Sequence, residues 1–163
     1  MQNIIVDELY SSKKDSCRMR RAVRAVIYQA DTLLMVHSKV NGDYKFPGGG
    51  IEQSESDADA LKREVKEETG FSISSVGEKI LCAYEYRYYD DDEFVMESNY
   101  YLCSIDTVQG EQNLDEYEKD LGFIPVFIAN KEAYKVNVSL LGSKNEPSWT
   151  KRETMVLEEL AKV

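Results

Sequence analysis

The chain has 163 residues, 42% of them apolar and 31% charged, the length and balance of one globular domain able to bury a core. A formal net charge of -10 works against nucleic-acid backbones as partners. No apolar run approaches the roughly 20 residues of a membrane span, so no membrane is expected. Residues 1–15 lack the basic start and apolar middle of a signal peptide, and cytoplasmic residence is the expectation.

Residues 1–19 form a mixed, polar lead-in to a single domain spanning 1–163. The one basic cluster, Lys13-Lys14 with Arg18, Arg20, Arg21 and Arg24, is short and interrupted and reads as a solvated segment. Residues 23–28 read as a strand, 29–31 as a turn and 32–38 as a returning strand. Leu33, Met35 and His37 alternate along it, which gives the only histidine a strand-end packing or surface role. Asn41-Gly42-Asp43 marks another turn, and 44–46 is a short strand ending at Pro47-Gly48-Gly49-Gly50. Ser56 caps the next segment, with Asp59 completing a capping box. The helix runs to about Thr69 and stops at Gly70, with Ala58, Leu61 and Val65 as its apolar stripe.

Residues 79–89 and 94–105 predict two long strands joined by the acidic turn Asp90-Asp91-Asp92-Glu93, read as solvated. Cys82 and Cys103 fall in these apolar runs as small hydrophobes, and three widely spaced cysteines suit neither a disulfide framework nor a zinc site. Residues 109–120 read as a polar loop, partly helical. Residues 123–128 read as an edge strand or strand start because of Pro125. A short helix is expected from Asn130 to about Tyr134. An amphipathic helix closes the chain over 149–162, packing through Trp149, Met155, Val156, Leu157 and Leu160. Mixed strands with a few helices imply a layered α/β or α+β domain.

The unusual segment is Arg63-Glu64-Val65-Lys66-Glu67-Glu68. At about 100° per residue, Glu64, Glu67 and Glu68 share one arc of the helix, flanking the buried stripe. Glu67 and Glu68 lie in the last turn, where the helix dipole disfavours anions, and Glu64 repels Glu68 at i,i+4. Arg63 can offset part of that by pairing with Glu67. A bound hard dication accounts for the cluster more directly than a solvated face does. The glycines before the helix allow close backbone approach, with carbonyls for a metal and N–H groups for phosphate.

The stretch from Gly49 to Phe71 resembles the Nudix box, G-x5-E-x7-R-E-U-x-E-E-x-G-U, with U a bulky apolar residue. Gly49, Glu55, Arg63, Glu64, Val65, Glu67, Glu68, Gly70 and Phe71 fill its fixed positions, Phe71 where aliphatic residues are commoner. The resemblance covers about residues 20–162. It implies an α/β fold, an α/β/α sandwich around a mixed sheet, and a hydrolase of a nucleoside diphosphate linked to another group, dependent on Mg2+ or Mn2+. It also implies that Glu64, Glu67 and Glu68 ligate metal with the Gly48 carbonyl, that Glu52 joins them, and that Arg63 orients the glutamates. Glu55 would brace the loop, and Gly49 and Gly70 would serve the backbone. The water's proton would go to Glu64 or to an acid of the later loop, Glu111, Asp115, Glu116 or Glu118.

The substrate marks outside the box are weak. The proline common in ADP-ribose hydrolases is missing from residues 85–89. Tyr88 and Tyr89 lie where dinucleoside polyphosphate hydrolases carry a tyrosine, in a strand where Tyr84, Tyr86 and Tyr88 alternate anyway. A (deoxy)nucleoside triphosphate, cut to a monophosphate and pyrophosphate, is the leading expectation, with ADP-ribose or a dinucleoside polyphosphate as the alternative. Tyr44, Phe46, Tyr86 and Tyr88 are candidates to stack on a base, with a core role for each the favoured reading. The rival from another class is a non-catalytic nucleotide-binding module, against which the intact box argues. The family fold often dimerises, which leaves a homodimer open.

Overall fold

A computed structural model describes residues 2–6, 17–89, 92–144 and 146–162, with residues 17, 87–89, 92 and 93 described by backbone alone. The strands are β1 Gln2–Ile5, β2 Cys17–Val26, β3 Tyr28–Gln29, β4 Thr32–Ser38, β5 Tyr44–Lys45, β6 Phe71–Tyr89, β7 Asp92–Gln109 and β8 Phe123–Ile128. The helices are α1 Asp57–Thr69, α2 Glu116–Asp120, α3 Asn130–Leu140 and α4 Thr150–Leu160. One sheet is mixed, in the order β1-β6-β7-β2, with β1 parallel to β6, β6 antiparallel to β7 and β7 parallel to β2. In the other, β4 pairs antiparallel with β3, β5 and β8.

Alternation along the strands feeds two cores. Val23, Ala25, Ile27 and Leu34 pack with Ala60, Leu61 and Val65 of α1. Val26, Leu33, Met35, Leu81 and Tyr100 pack with Ala133 of α3 and with Val156 and Leu157 of α4. Helices therefore cover both faces of the strands, the layered α/β architecture expected. Among the described residues no helix is long and apolar enough to cross a membrane.

Several boundaries differ from expectation. The lead-in holds β1, and β2 starts at Cys17, because long partners on the sheet override the polar composition of both segments. Strand β6 begins at Phe71, directly after Gly70, and reaches the predicted stretch through register shifts between Phe71 and Leu81. Helix α3 runs past Tyr134 to Leu140, carrying Asn137 into the interior. The centre of the acidic turn, Asp90-Asp91, lies outside the described residues. Cys82 and Cys103 are buried free thiols, and burial pushes the Cys103 thiol up to about 11.

The segment that follows β5 is set against the outer edge of β2. Ala25 N–H donates to Pro47 O at 2.8 Å, Val23 N–H to Gly49 O at 3.0 Å, and Ile51 N–H to Arg21 O at 3.1 Å. The glycine loop thus continues the sheet. Gly48 has φ +141, and a Cβ there would lie 2.1 Å from Val23 O. Only glycine permits so close an approach.

Candidate active site

Helix α1 forms as its sequence predicts. The Ser56 hydroxyl accepts Asp59 N–H, and Gly70 ends the helix in the left-handed region at φ +77. Its acidic residues meet three environments. Glu68 is 1% exposed; Gly48 N–H donates to its Oε2 at 2.8 Å and Lys45 Nζ pairs with its Oε1. Burial raises the Glu68 carboxyl to about 7, against the pull of Lys45 and of Gly48 N–H. Glu64 is mostly buried against the loop, and a Cβ on Gly49 would meet its carboxylate at 2.4 Å. Glu67 is the most open of the three, its carboxyl raised by desolvation and by the charges of Glu64 and Asp115.

Arg63 ties the loop to the helix. Its Nε and Nη2 donate to the two oxygens of Glu55 at 2.9 and 2.8 Å, Nη1 reaches Glu64 at 2.7 Å and Glu67 at 3.4 Å, and Nη2 also donates to Gly50 O at 3.1 Å. Such a bidentate pair fixes geometry as well as charge. Arg63 holds the Glu55 carboxyl below its ordinary range, and Glu55 in turn accepts Glu52 N–H at 3.0 Å. Gly70 gives α1 a close exit, since a Cβ there would lie 2.2 Å from Gly110 O. Gln112 then donates to the carbonyls of Glu68 and Phe123, and Asn113 N–H to Glu67 O at 2.8 Å. These bonds bring the loop before α2 over the helix end.

The result is a trough of adjoining cavities. An outer one of about 320 Å³ is walled by Glu52, Glu64, Glu67, Asp115 and Glu118. A central one of about 260 Å³ reaches Gly48, Glu64 and Glu68. The third, about 400 Å³, is lined by arginines with Phe94, Met96 and Trp149. Of the four loop acids, Asp115 and Glu118 line the trough; Glu111 and Glu116 do not. Glu118 is buried and accepts Asp115 N–H at 2.9 Å and the Tyr117 hydroxyl at 3.2 Å.

Sequence reasoning missed the cationic side. Arg20, Arg24, Lys45 and Arg152 all line the central cavity, and Arg24 Nη1 donates to Gly48 O. The alternation of Arg18, Arg20 and Arg24 was the available signal, because period two puts them on one face of β2. The solvated reading of this cluster fails at Arg24, which is 8% exposed, whereas Arg21 points the other way to Asp57 and Glu97. Behind the wall, Arg152 is buried against Glu85, Glu153 and the Tyr100 hydroxyl, and Glu153 Oε2 accepts Phe46 N–H at 3.0 Å. Glu153 therefore holds α4 against the segment that leads into the glycine loop, and Arg152 holds it against β6 and β7.

The stacking candidates Tyr44, Phe46 and Tyr86 line none of these cavities, and Tyr88 has no described side chain. Trp149 and Tyr117 are the aromatics on the central cavity, the indole N–H of Trp149 donating to Asp43 at 2.7 Å. His37 stacks on Tyr44 at 4.6 Å and its Nδ1 meets Asp43 O at 3.1 Å, a packing role.

The donor set suits a hard dication in kind, since its side-chain ligands are all carboxylates. Two of the expected oxygens already carry cationic partners, Glu68 with Lys45 and Gly48 O with Arg24. Among the described residues no three acidic, histidine or cysteine side chains form a ready cage.

The NUDIX domain model matches residues 18–137. Comparison with curated proteins gives no match. Solved structures that share the fold include the following two. The E. coli ORF135 protein, determined in solution, is 21% identical with a TM-score of 0.55, over 88% of this chain and 94% of that one. A NUDIX hydrolase from Nitrosomonas europaea is 18% identical with a TM-score of 0.58, over 89% of this chain and 91% of that one.

Proposed function

Since the chain belongs to the NUDIX family and is accordingly a hydrolase, we propose that it cuts a phosphoanhydride bond in a nucleoside diphosphate linked to another group. The leading substrate is a (deoxy)nucleoside triphosphate, giving a monophosphate and pyrophosphate. One observation carries the reading: Glu64 and Glu67 open from α1 onto a cavity that Asp115 and Glu118 close from the start of α2.

Glu64, Glu67 and Glu68 would hold Mg2+ or Mn2+ with the Gly48 carbonyl, and Glu52 stands at the outer rim. A bound dication there would supply charge neutralisation of the diphosphate and a more acidic water. Arg24 and Lys45 are then the cations that the Gly48 and Glu68 oxygens share or exchange. Arg63 holds Glu64 and Glu67 in register with the loop through Glu55. A carboxylate must take the water's proton, and Glu64, Asp115 and Glu118 are the ones placed on the cavity. The cytoplasm, where free thiols such as Cys82 and Cys103 persist, is the proposed site of action.

The test is product analysis over a panel of nucleotide phosphoanhydrides with Mg2+, Mn2+ or EDTA. Metal-dependent release of a nucleoside monophosphate supports the reading. Binding without turnover across the panel would make the protein a nucleotide-binding module instead.

A further inference from the structure

The trough changes character along its length. Four glutamates and Asp115, with Arg20 and Arg63 among them, wall the outer cavity, while the third cavity is lined by Arg18, Arg20, Arg24 and Arg152 with Phe94 and Trp149, and by no carboxylate among the described residues. Arg20, Arg24 and Arg152 face the central cavity as well, so the two ends are continuous.

The buried arginines differ. Arg152 is neutralised by Glu85 and Glu153 and serves as a fixed wall. Arg24 donates Nη1 only to a neutral carbonyl, that of Gly48, and its buried Nε–H has no partner. A buried donor without an acceptor is costly, and a guanidinium paired only with a carbonyl keeps its charge. The Nε–H is closed off from the cavity, but the charge of the guanidinium is met by an anion there. The lining also selects the kind of ligand. Guanidinium groups donate and cannot accept, the indole N–H of Trp149 is taken by Asp43, and the Ser148 hydroxyl is the one side-chain oxygen among the lining residues. Phosphate oxygens accept only, whereas nucleobase edges mix donors with acceptors and would leave donors unmatched.

We propose that this arginine-lined end receives a phosphate group of the substrate lying outside the diphosphate that is cut. The proposal rests on the hydrolase reading above and narrows it. It favours substrates with a further phosphate, in line or on a ribose, over those whose second group is a neutral sugar.

The experiment compares kcat/KM with Mg2+ for pairs that differ by one phosphate: ATP against ADP for an in-line phosphate, and NADP against NAD for one on the ribose. In at least one pair the extra phosphate should raise kcat/KM by about tenfold or more, the scale of one charge-assisted hydrogen bond. Arg20→Met should reduce that ratio to about threefold or less; Arg20 is exposed, so this variant should fold, as a thermal melt would check. Arg24→Lys, which keeps the charge and loses the planar fork of guanidinium donors, should reduce it too. Calorimetric titration of NADP against NAD reads the arginine site without turnover. If no substrate is cut but the phosphate still tightens binding, this site stands and the hydrolase reading falls. Ratios near one in both pairs, in an enzyme that turns the substrates over, would overturn the proposal. So would a preference that follows the nucleobase across ATP, GTP, CTP and UTP and ignores phosphate number.

Discussion

Adjacent glycines in the loop should fail in opposite ways when each is replaced by alanine. In Gly48→Ala the new Cβ would meet Val23 O at 2.1 Å and Arg24 Cα at 2.9 Å, with φ at +141. Those atoms belong to β2, where the bonds from Val23 to Gly49 and from Ala25 to Pro47 hold the loop. Losing both bonds and straining the backbone should cost about 3–5 kcal/mol. In Gly49→Ala the atoms nearest the Cβ would be those of the Glu64 carboxylate, at 2.4 Å. That is the far end of a flexible side chain, which can rotate away from Arg63 at a cost of about 1 kcal/mol. Turnover should instead fall about 100-fold, the effect of misplacing a reacting group by about an ångström. Urea unfolding, followed by fluorescence of the single tryptophan, Trp149, gives the stabilities, and steady-state hydrolysis gives the rates. Wild-type turnover in Gly49→Ala would refute the placement of Glu64 at the reacting centre. Wild-type stability in Gly48→Ala would refute the close contact with β2.

Other outcomes follow from the same geometry. Glu67→Gln should keep its melting temperature and lose on the order of 100-fold or more in kcat; wild-type turnover would remove Glu67 from the proposed ligands. Glu153→Leu leaves Arg152 short of a counter-charge and Phe46 N–H without its acceptor, and should cost about 3–5 kcal/mol by urea unfolding; a loss under about 1 kcal/mol would mean that the network relaxes. Burial raises the Asp43 carboxyl although the Trp149 indole N–H pulls it down, so the folded state holds its proton more tightly than the unfolded one. That contribution is present below the ordinary aspartate range and is lost as pH rises through the raised folded value. Urea midpoints should therefore rise in Asp43→Asn relative to wild type as pH climbs above about 4, and a pH-independent difference would count against the shift. His37→Gln should hydrolyse substrate within about twofold of wild type, since a surface or strand-end substitution changes stability little; a large loss would give the imidazole a role its stacking on Tyr44 does not suggest.

What could be read in advance depended on how local its cause was. The Ser56 cap, the apolar stripe and the Gly70 stop lie within one turn of what they control, and α1 forms as expected. The family likeness of Gly49 to Phe71 could be read because its residues lie on one loop and one helix. Burial of Glu68 was hidden, because it needs Lys45 and Gly48 N–H brought from another segment. The Arg152, Glu85 and Glu153 cluster was hidden for the same reason: each looks like a surface charge until α4 and β6 meet. The arginines of β2 were visible as an alternation, but their direction depends on which face the sheet presents to α4. The length of β6 was missed because tertiary pairing overrides the weak preference of Ser72, Ser74 and Ser75.

The bond from Arg24 to the Gly48 carbonyl ties the arginine side of the trough to the glycine loop. A mutation on the arginine side changes the partner of an oxygen on the carboxylate side, and the reverse holds too. Their free energies should not sum: a cycle built from Arg24 and Glu64 replacements ought to leave a residual coupling, where distant residues would leave none. Tuning this protein toward a new ligand would then move its rate at the same time, and the two properties would have to be selected together.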